Sequence, residues 1–227
     1  MVCQLNCMKN KLWIIICFLF FVCGKAQNVN ESVSSSLKIT WVKKIKGDFT
    51  FINHWEYPTG VEKKQDGKAG CGDGGFCPQR CYGMLDSNGI VLKDSAQLFY
   101  QLLDTTHIPF SIQCEARCYE FAGTNTVHTY RKNDSVICIT DANIATHCSL
   151  YLNLVQDECF PVIVLNSIMN NNLQYFYIEK GFINIDKNYF KKGILKAEFD
   201  FTFANPDDID EPVYWKGKIY SDIQKAK

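Results

Sequence analysis

Eight cysteines, Cys71, Cys77, Cys81, Cys114, Cys118, Cys138, Cys148 and Cys159, share one stretch of chain with His107, His128 and His147. Thiols and imidazoles in that density offer disulfides, a zinc site or a thiol nucleophile. Cys77-x-x-x-Cys81 would place two thiolates on one helical face, and the three histidines could complete a tetrahedral site. Cys114-x-x-x-Cys118 falls in a strand-like run. Four residues there span about 13 Å, so these two neither share a metal nor bridge each other within the roughly 7 Å that a disulfide allows. An even number of cysteines in an exported chain favours disulfides for all eight, with the pairing left open. Zinc remains the alternative, and no cofactor is required. For a nucleophile the candidates are His107, His147 and Cys148. His147 and Cys148 are adjacent, however, and successive side chains on a strand face opposite sides.

Carboxylates and aromatics add further candidates. Asp207, Asp208, Asp210 and Glu211 crowd one turn, but their spacing lacks the glycine and terminal glutamate of a calcium-binding EF-hand loop, and a solvated acidic turn fits better. Glu115 and Glu120 flank the Cys118 region and form a weak glycosidase-like pair. Trp55 and Tyr57, in His54-Trp55-Glu56-Tyr57-Pro58, end a predicted strand beside the glycine-rich loop Gly67–Gly75. Aromatic rings at such a rim stack on sugars or anchor a protein partner. The blander reading of any tryptophan is a half-buried packing residue.

The elements that must position these groups are mostly strands. LKITWVKK and DFTFINHWEY alternate β-branched and aromatic residues, predicting two strands joined near Gly47. Pro78 opens a predicted short helix over Cys77–Leu85, and Asp94 is placed to cap a helix with an apolar stripe of Leu98, Leu102 and Leu103. From Ser111 onward the runs SIQCEARCYEF, TVHTY, SVICIT, CSLYLNLV, CFPVIVLN, LQYFYIEK, FINID, ILKAEFDFTF and VYWKGKIY read as successive strands. In Ile194–Phe203, Ala197, Phe199, Phe201 and Phe203 share one face, and Lys196, Glu198, Asp200 and Thr202 the other. The fold class is mainly β: an antiparallel β-sandwich-like domain with one short helix and a disulfide-stapled, loop-rich N-terminal half.

The amino terminus sets the location. Lys9 and Lys11 precede twelve apolar residues, Leu12–Cys23, followed by Gly24-Lys25-Ala26. As a helix that run rises only about 18 Å against a hydrocarbon core of about 30 Å, so residues 1–26 read as a cleaved signal peptide without a transmembrane anchor. Met8 is a better start than Met1. A lipid on Cys23 is disfavoured because Val22 stands where a small residue is wanted. Residues 27–36 are a flexible Ser-rich leader. Residues 37–227 form a single β-rich domain, with a Cys-rich half at 37–165 and a β-meander half at 166–227. The full chain has 24 Lys plus Arg against 24 Asp plus Glu. Three lysines leave with the signal and no acids do, so the mature chain carries a net charge of −3. That balance excludes a nucleic-acid partner, which requires a basic stripe.

The segments SIQCEARCYEFAGT, ATHCSLYL and GFINIDKNYFKKGILKAEFDFTF, with the closing WKGKIY, resemble exported proteins of unknown function from Bacteroidota, over Leu37 to Tyr220. The resemblance implies a bacterial envelope or secreted location and unmodified sequons at Asn30 and Asn133. It brings no catalytic residues. The function read from the chain is therefore an exported, non-catalytic protein of the periplasm, cell surface or medium that binds a protein or carbohydrate ligand. The alternative is an exported hydrolase using a Cys/His or carboxylate site.

Overall fold

The structure, a computed structural model, describes residues 35–58, 60–71, 77–143, 145–169, 172–206, 208 and 210–225. The signal peptide, the candidate start Met8, Cys23, most of the leader, the loop residues 72–76 and Asp207 lie outside the described residues. The strands are β1 (Leu37–Val42), β2 (Trp55–Glu56), β3 (Val61–Lys63), β4 (Ala69–Cys71), β5 (Ile108–Pro109), β6 (Ile112–Arg117), β7 (Val127–Lys132), β8 (Ser135–Thr140), β9 (Cys148–Val155), β10 (Glu158–Asn166), β11 (Leu173–Asp186), β12 (Ile194–Phe203), β13 (Val213–Asp222) and β14 (Gln224–Lys225). Among the described residues there are also two short α-helices, α1 (Ala96–Gln101) and α2 (Lys187–Lys191).

Ten strands form one row in the order β14-β7-β8-β9-β10-β1-β11-β12-β13-β6. Alternation drives it. Cys148, Leu150, Leu152 and Leu154 on β9 turn inward, as do Leu195, Ala197, Phe199, Phe201 and Phe203 on β12, while their neighbours meet solvent. The meander expected at the end of the chain is present as the antiparallel run β11-β12-β13.

The row forks and curls. β10 pairs with β1 through Lys38↔Glu158 and Leu37↔Cys159, then with β11 from Val162 to Asn166. Pro161, which has no N–H to donate, falls between the two partners. β1 enters the fork and lies parallel to β11, from Ile39↔Ile183 to Val42↔Asp186, so the sheet is antiparallel except there and at the β14–β7 pair. Farther along β11 a register shift occurs between Ile178 and Lys180. Gly181 beside it has φ +151°, and an added Cβ would come within 2.2 Å of Asp200 O, so a side chain there would push β12 away. The far ends of the row meet. Val127 N–H on β7 donates to Ser111 Oγ at 2.8 Å, and Ser221 Oγ at the end of β13 donates to Val127 O at 3.3 Å. The result is a sandwich-like half-barrel around one apolar interior.

That interior holds Trp215, fully buried and 4.8 Å centroid to centroid from Phe121, with Phe199 stacked on Phe201 at 4.9 Å. Trp215 Nε1 has no oxygen partner, and the Cys114 sulfur is the weak acceptor beside it. Asp186, 1% exposed, caps α2. Its carboxylate accepts from Asn188 N–H at 3.0 Å, Tyr189 N–H at 3.2 Å and Ile45 N–H at 3.1 Å. Burial pushes this carboxyl up, but the three amides outweigh it, and the group titrates below its ordinary value.

A second, smaller apolar cluster lies between β3 and the end of α1: Val61, Ala69, Cys71, Cys81 and Phe99, closed by the Cys71–Cys77 disulfide.

Three local expectations change. DFTFINHWEY does not form a hairpin with β1: Thr50–Asn53 is a 3-10 turn and only Trp55–Glu56 is strand, because β1 takes both its partners from distant β10 and β11. Over Cys77–Leu85 only Gln79–Cys81 is helical, again as a 3-10 turn, since Gly83 adopts φ +76°. In α1 the buried side chain is Phe99, while Leu98 is exposed and Asp94 sits in a preceding 3-10 turn without capping the helix.

Candidate functional site

A cleft of about 330 Å³ opens between the small β2–β5 sheet and the ends of β7 and β8. Its walls follow from pairing. Trp55↔Pro109 and Glu56↔Ile108 join β2 to β5. Glu56, Tyr57, Pro58 and Ile108 form one wall. The opposite wall is the segment Gly123–Thr126 entering β7, together with His128 and the segment Asp141–Asn143 leaving β8. The β7–β8 hairpin turns at Asn133, where φ is +53°, and pairs Val127 with Thr140. Asp141 N–H then donates to Thr126 O at 3.1 Å, and His128 Nε2 lies 2.6 Å from Asp141 Oδ1.

Beside the cleft stands a group of three aromatic rings. Trp55 stacks on His107 with centroids 3.7 Å apart and planes 16° apart; Tyr57 meets both edge-on, at 5.1 Å from Trp55 and 5.4 Å from His107. Trp55 is 46% exposed, so its outward surface is open. Tyr57 belongs to both the aromatic group and the cleft wall. A stacked face next to carboxylates and amides is the combination that recognises a ring bearing hydroxyls. The volume sits at the lower end of the roughly 300–1,000 Å³ typical of small-ligand sites.

The structure thus brings Trp55, Tyr57 and His107 together, while the candidate nucleophile Cys148 neighbours Cys118. His147 donates its backbone N–H to Glu120 O at 2.8 Å, ahead of β9. Cys148 is fully buried and faces Cys118, whose contact, followed by burial, keeps its thiol protonated far above the ordinary value. Burial likewise pushes Cys114 up to about 11, offset in part by Trp215, and Cys138 up to about 12, offset in part by the Thr129 hydroxyl. Cys159 is raised by burial and by neighbouring Cys138. Thiol catalysis needs a thiolate, and none of these environments supplies one. Neither serine nor cysteine lines the cleft among the described residues. Its two threonine hydroxyls sit on Thr124, which donates to Thr126 O at 3.3 Å, and on Thr126, which is buried.

Of the eight cysteines expected in disulfides, Cys71 and Cys77 are bridged, while Cys81, Cys114, Cys118, Cys138, Cys148 and Cys159 carry thiols. Geometry explains part of this. Cys138 on β8 and Cys159 on β10 are separated by β9, a lateral distance of about 10 Å that exceeds disulfide reach. Cys81 lies in the cluster that the Cys71–Cys77 bridge already closes. No group of three or more His, Cys, Asp or Glu side chains is placed to hold a metal among the described residues. Nor is any described helix long and apolar enough to cross a membrane. Glu115 is taken up by Tyr214 Oη at 2.8 Å and Lys216 Nζ at 3.2 Å, and Glu120 by Ser167 Oγ at 2.7 Å. Glu211 of the acidic turn pairs with Arg117.

Reading residues singly does not reveal Glu56, Asp141 and Asn143 as cleft residues. A signal was present nonetheless. A two-residue turn at Asn133-Asp134 sets TVHTYRK against SVICIT, so that Asp141 falls diagonally across from His128 on the same face. Comparison of the chain with protein-family models, curated proteins and solved structures finds no match in any of the three.

Proposed function

We propose that the protein is an exported, non-catalytic binding protein whose cleft takes a polyhydroxylated ligand such as a glycan segment. The observation that carries the reading is the exposed Trp55 face, braced by His107 and joined through Tyr57 to a polar cleft containing Glu56, Asp141 and Asn143. Sugar rings have an apolar face that stacks on an aromatic ring and hydroxyls that bond to carboxylates and amides. The apolar run Leu12–Cys23 and the resemblance to exported Bacteroidota proteins support a location where glycans are met. Titration of the mature protein with a panel of soluble oligosaccharides, followed by tryptophan fluorescence and calorimetry, tests the reading. Saturable binding that falls at least tenfold in both Trp55→Ala and Asp141→Ala, with unchanged melting temperatures, supports it. No saturable binding across the panel, or binding unaltered by both substitutions, overturns the glycan assignment.

The hydrolase alternative has one observation in its favour, the His128–Asp141 pair facing Glu56 across the same cleft. An imidazole held by a carboxylate is a general-base arrangement. Product analysis in the same titrations separates the two readings: a ligand recovered intact after long incubation supports binding, and shortened chains that disappear with His128→Ala support hydrolysis.

A further inference from the structure

β6 ends the row of strands and β9 lies inside it, yet the curl brings the end of one against the start of the other. Cys118 directly follows β6, Cys148 opens β9, and both pack into the large core. The two thiols lie close enough for Cys118 to raise the titration of Cys148. The backbones around them are tied together as well. His147 N–H donates to Glu120 O at 2.8 Å, Ala122 N–H donates to Thr146 Oγ1 at 3.1 Å, and that fully buried hydroxyl donates to Gly123 O at 2.9 Å. Glu120, held at φ +53°, also accepts from Ile168 N–H at 3.1 Å. Two cysteines set side by side by hydrogen bonds between the residues that flank them can bond with little backbone rearrangement.

We propose that Cys118 and Cys148 form a redox-active dithiol that closes to a disulfide when the protein meets an oxidising disulfide, locking the loop that carries the cleft wall. Cys118 is partly exposed and Cys148 fully buried, which sets the order of events. The Cys118 thiolate attacks one sulfur of the external disulfide; that S–S bond breaks, and one donor thiolate leaves. Cys148 loses its proton to solvent and attacks the Cys118 sulfur, the mixed disulfide breaks, and the second donor thiolate leaves. Two electrons have passed to the donor, which takes up two protons and ends as two thiols. With the Cys118 thiol consumed, burial still holds the Cys148 proton on, so the second step is the slow one and accelerates as the pH rises.

The closed loop spans residues 119–147, and eight of the twelve residues lining the cleft, from Gly123 to Asn143, lie on it. A bridge at its base therefore fixes both segments of that wall at once. The inference rests neither on the ligand assignment nor on export, because an added reagent supplies the oxidant. Equilibrating the purified full chain with glutathione disulfide, alkylating the remaining thiols under denaturing conditions and mapping peptides by mass spectrometry tests it. The expected result is a Cys118–Cys148 linked peptide with Cys138 and Cys159 alkylated. The oxidised protein should melt about 10 °C above the dithiol form, and Cys118→Ser should melt alike in both conditions. Recovery of both residues alkylated, a glutathione adduct persisting on Cys118, or bridges from either residue to another cysteine overturns the proposal. A thermal gain that survives Cys118→Ser overturns the stapling. Should that variant not fold, the wild-type peptide map decides alone.

Discussion

The half-barrel and the lobe between β3 and the end of α1 both remove apolar side chains from water, on very different scales. Among the described residues the half-barrel core contains 24 buried ones contributed by strands far apart in sequence, including the aromatics Phe176, Phe201, Phe203 and Trp215, each at most 1% exposed. Among its described residues the lobe buries five, and two of those are cysteines. Its backbone is 3-10 turns, the two-stranded β3–β4 pair and one helix of six residues, none of which is stable alone in water. A small core of that kind is a setting in which a covalent staple matters, and the disulfide spans Cys71 and Cys77 there. The half-barrel has its ladders and alternating faces instead, and its cysteines serve as small apolar side chains. Oxidation therefore acts differently in the two places. In the lobe it stands in for missing hydrophobic contact, whereas at Cys118 and Cys148 it would add to a structure already held by packing.

This contrast can be broken in several ways. The largest effect is expected from Phe201→Ala in the half-barrel, where loss of a fully buried ring should cost about 4 kcal/mol and lower the single global transition in chemical denaturation. If Phe99→Ala in the lobe shifts that same transition equally, the two cores are one cooperative unit and the contrast fails. Next is Asp186→Ala, which strips three backbone N–H groups of their acceptor and should cost about 3 kcal/mol. Because the folded carboxyl titrates below its ordinary 3.8, its contribution is complete above that value and is lost as the pH falls through the lowered folded value. The wild type should therefore lose more stability than the alanine variant between pH 5 and 2, roughly the carboxylate range, in matched urea melts.

Cys71→Ser with Cys77→Ser should cost about 2 kcal/mol, since the bridge closes a short loop. The loss should be confined to the lobe, seen as faster amide exchange at Val61 and Phe99 with strands β9 to β12 unchanged. The smallest stability effect belongs to Trp55→Ala. With 46% of its surface already in water, the residue should shift the melting temperature by no more than about 2 °C while removing ligand binding. A fall several times larger would make the aromatic group part of the lobe's support and not a docking face.

Much of this was legible in the chain. The run from SIQCEARCYEF to VYWKGKIY alternates clearly enough that each segment holds a strand, although β6 stops at Arg117 and leaves Cys118 outside it, and the interior side of ILKAEFDFTF is the one its periodicity predicts. LQYFYIEK and FINID fuse into the single β11 because the bulge near Gly181 bends the strand without ending it. Trp55, Tyr57 and His107 were visible as residue types, but their meeting was not, since it depends on β2 pairing with β5 across 51 residues of intervening chain. Leu98, chosen from the helical stripe, is exposed because α1 is too short to present a whole face and turns Phe99 inward.

Local alternation and turn chemistry settled which side of each strand meets water, because burial of a pleated strand repeats every two residues and needs no knowledge of the partner. The apolar run Leu12–Cys23, the charge balance and the count of cysteines are likewise properties of the chain. Partner choice is not. That β1 runs parallel to β11 inside a fork, that β6 curls round to bring Cys118 to Cys148, and that the β7–β8 hairpin faces β2–β5 to form a cleft all depend on competition among strands with equivalent apolar faces. Such competition is resolved by how the whole interior fills. The same holds for the cysteines: composition made disulfides the default, and the separation of β8 from β10 by an intervening strand, a tertiary distance, leaves Cys138 and Cys159 as thiols.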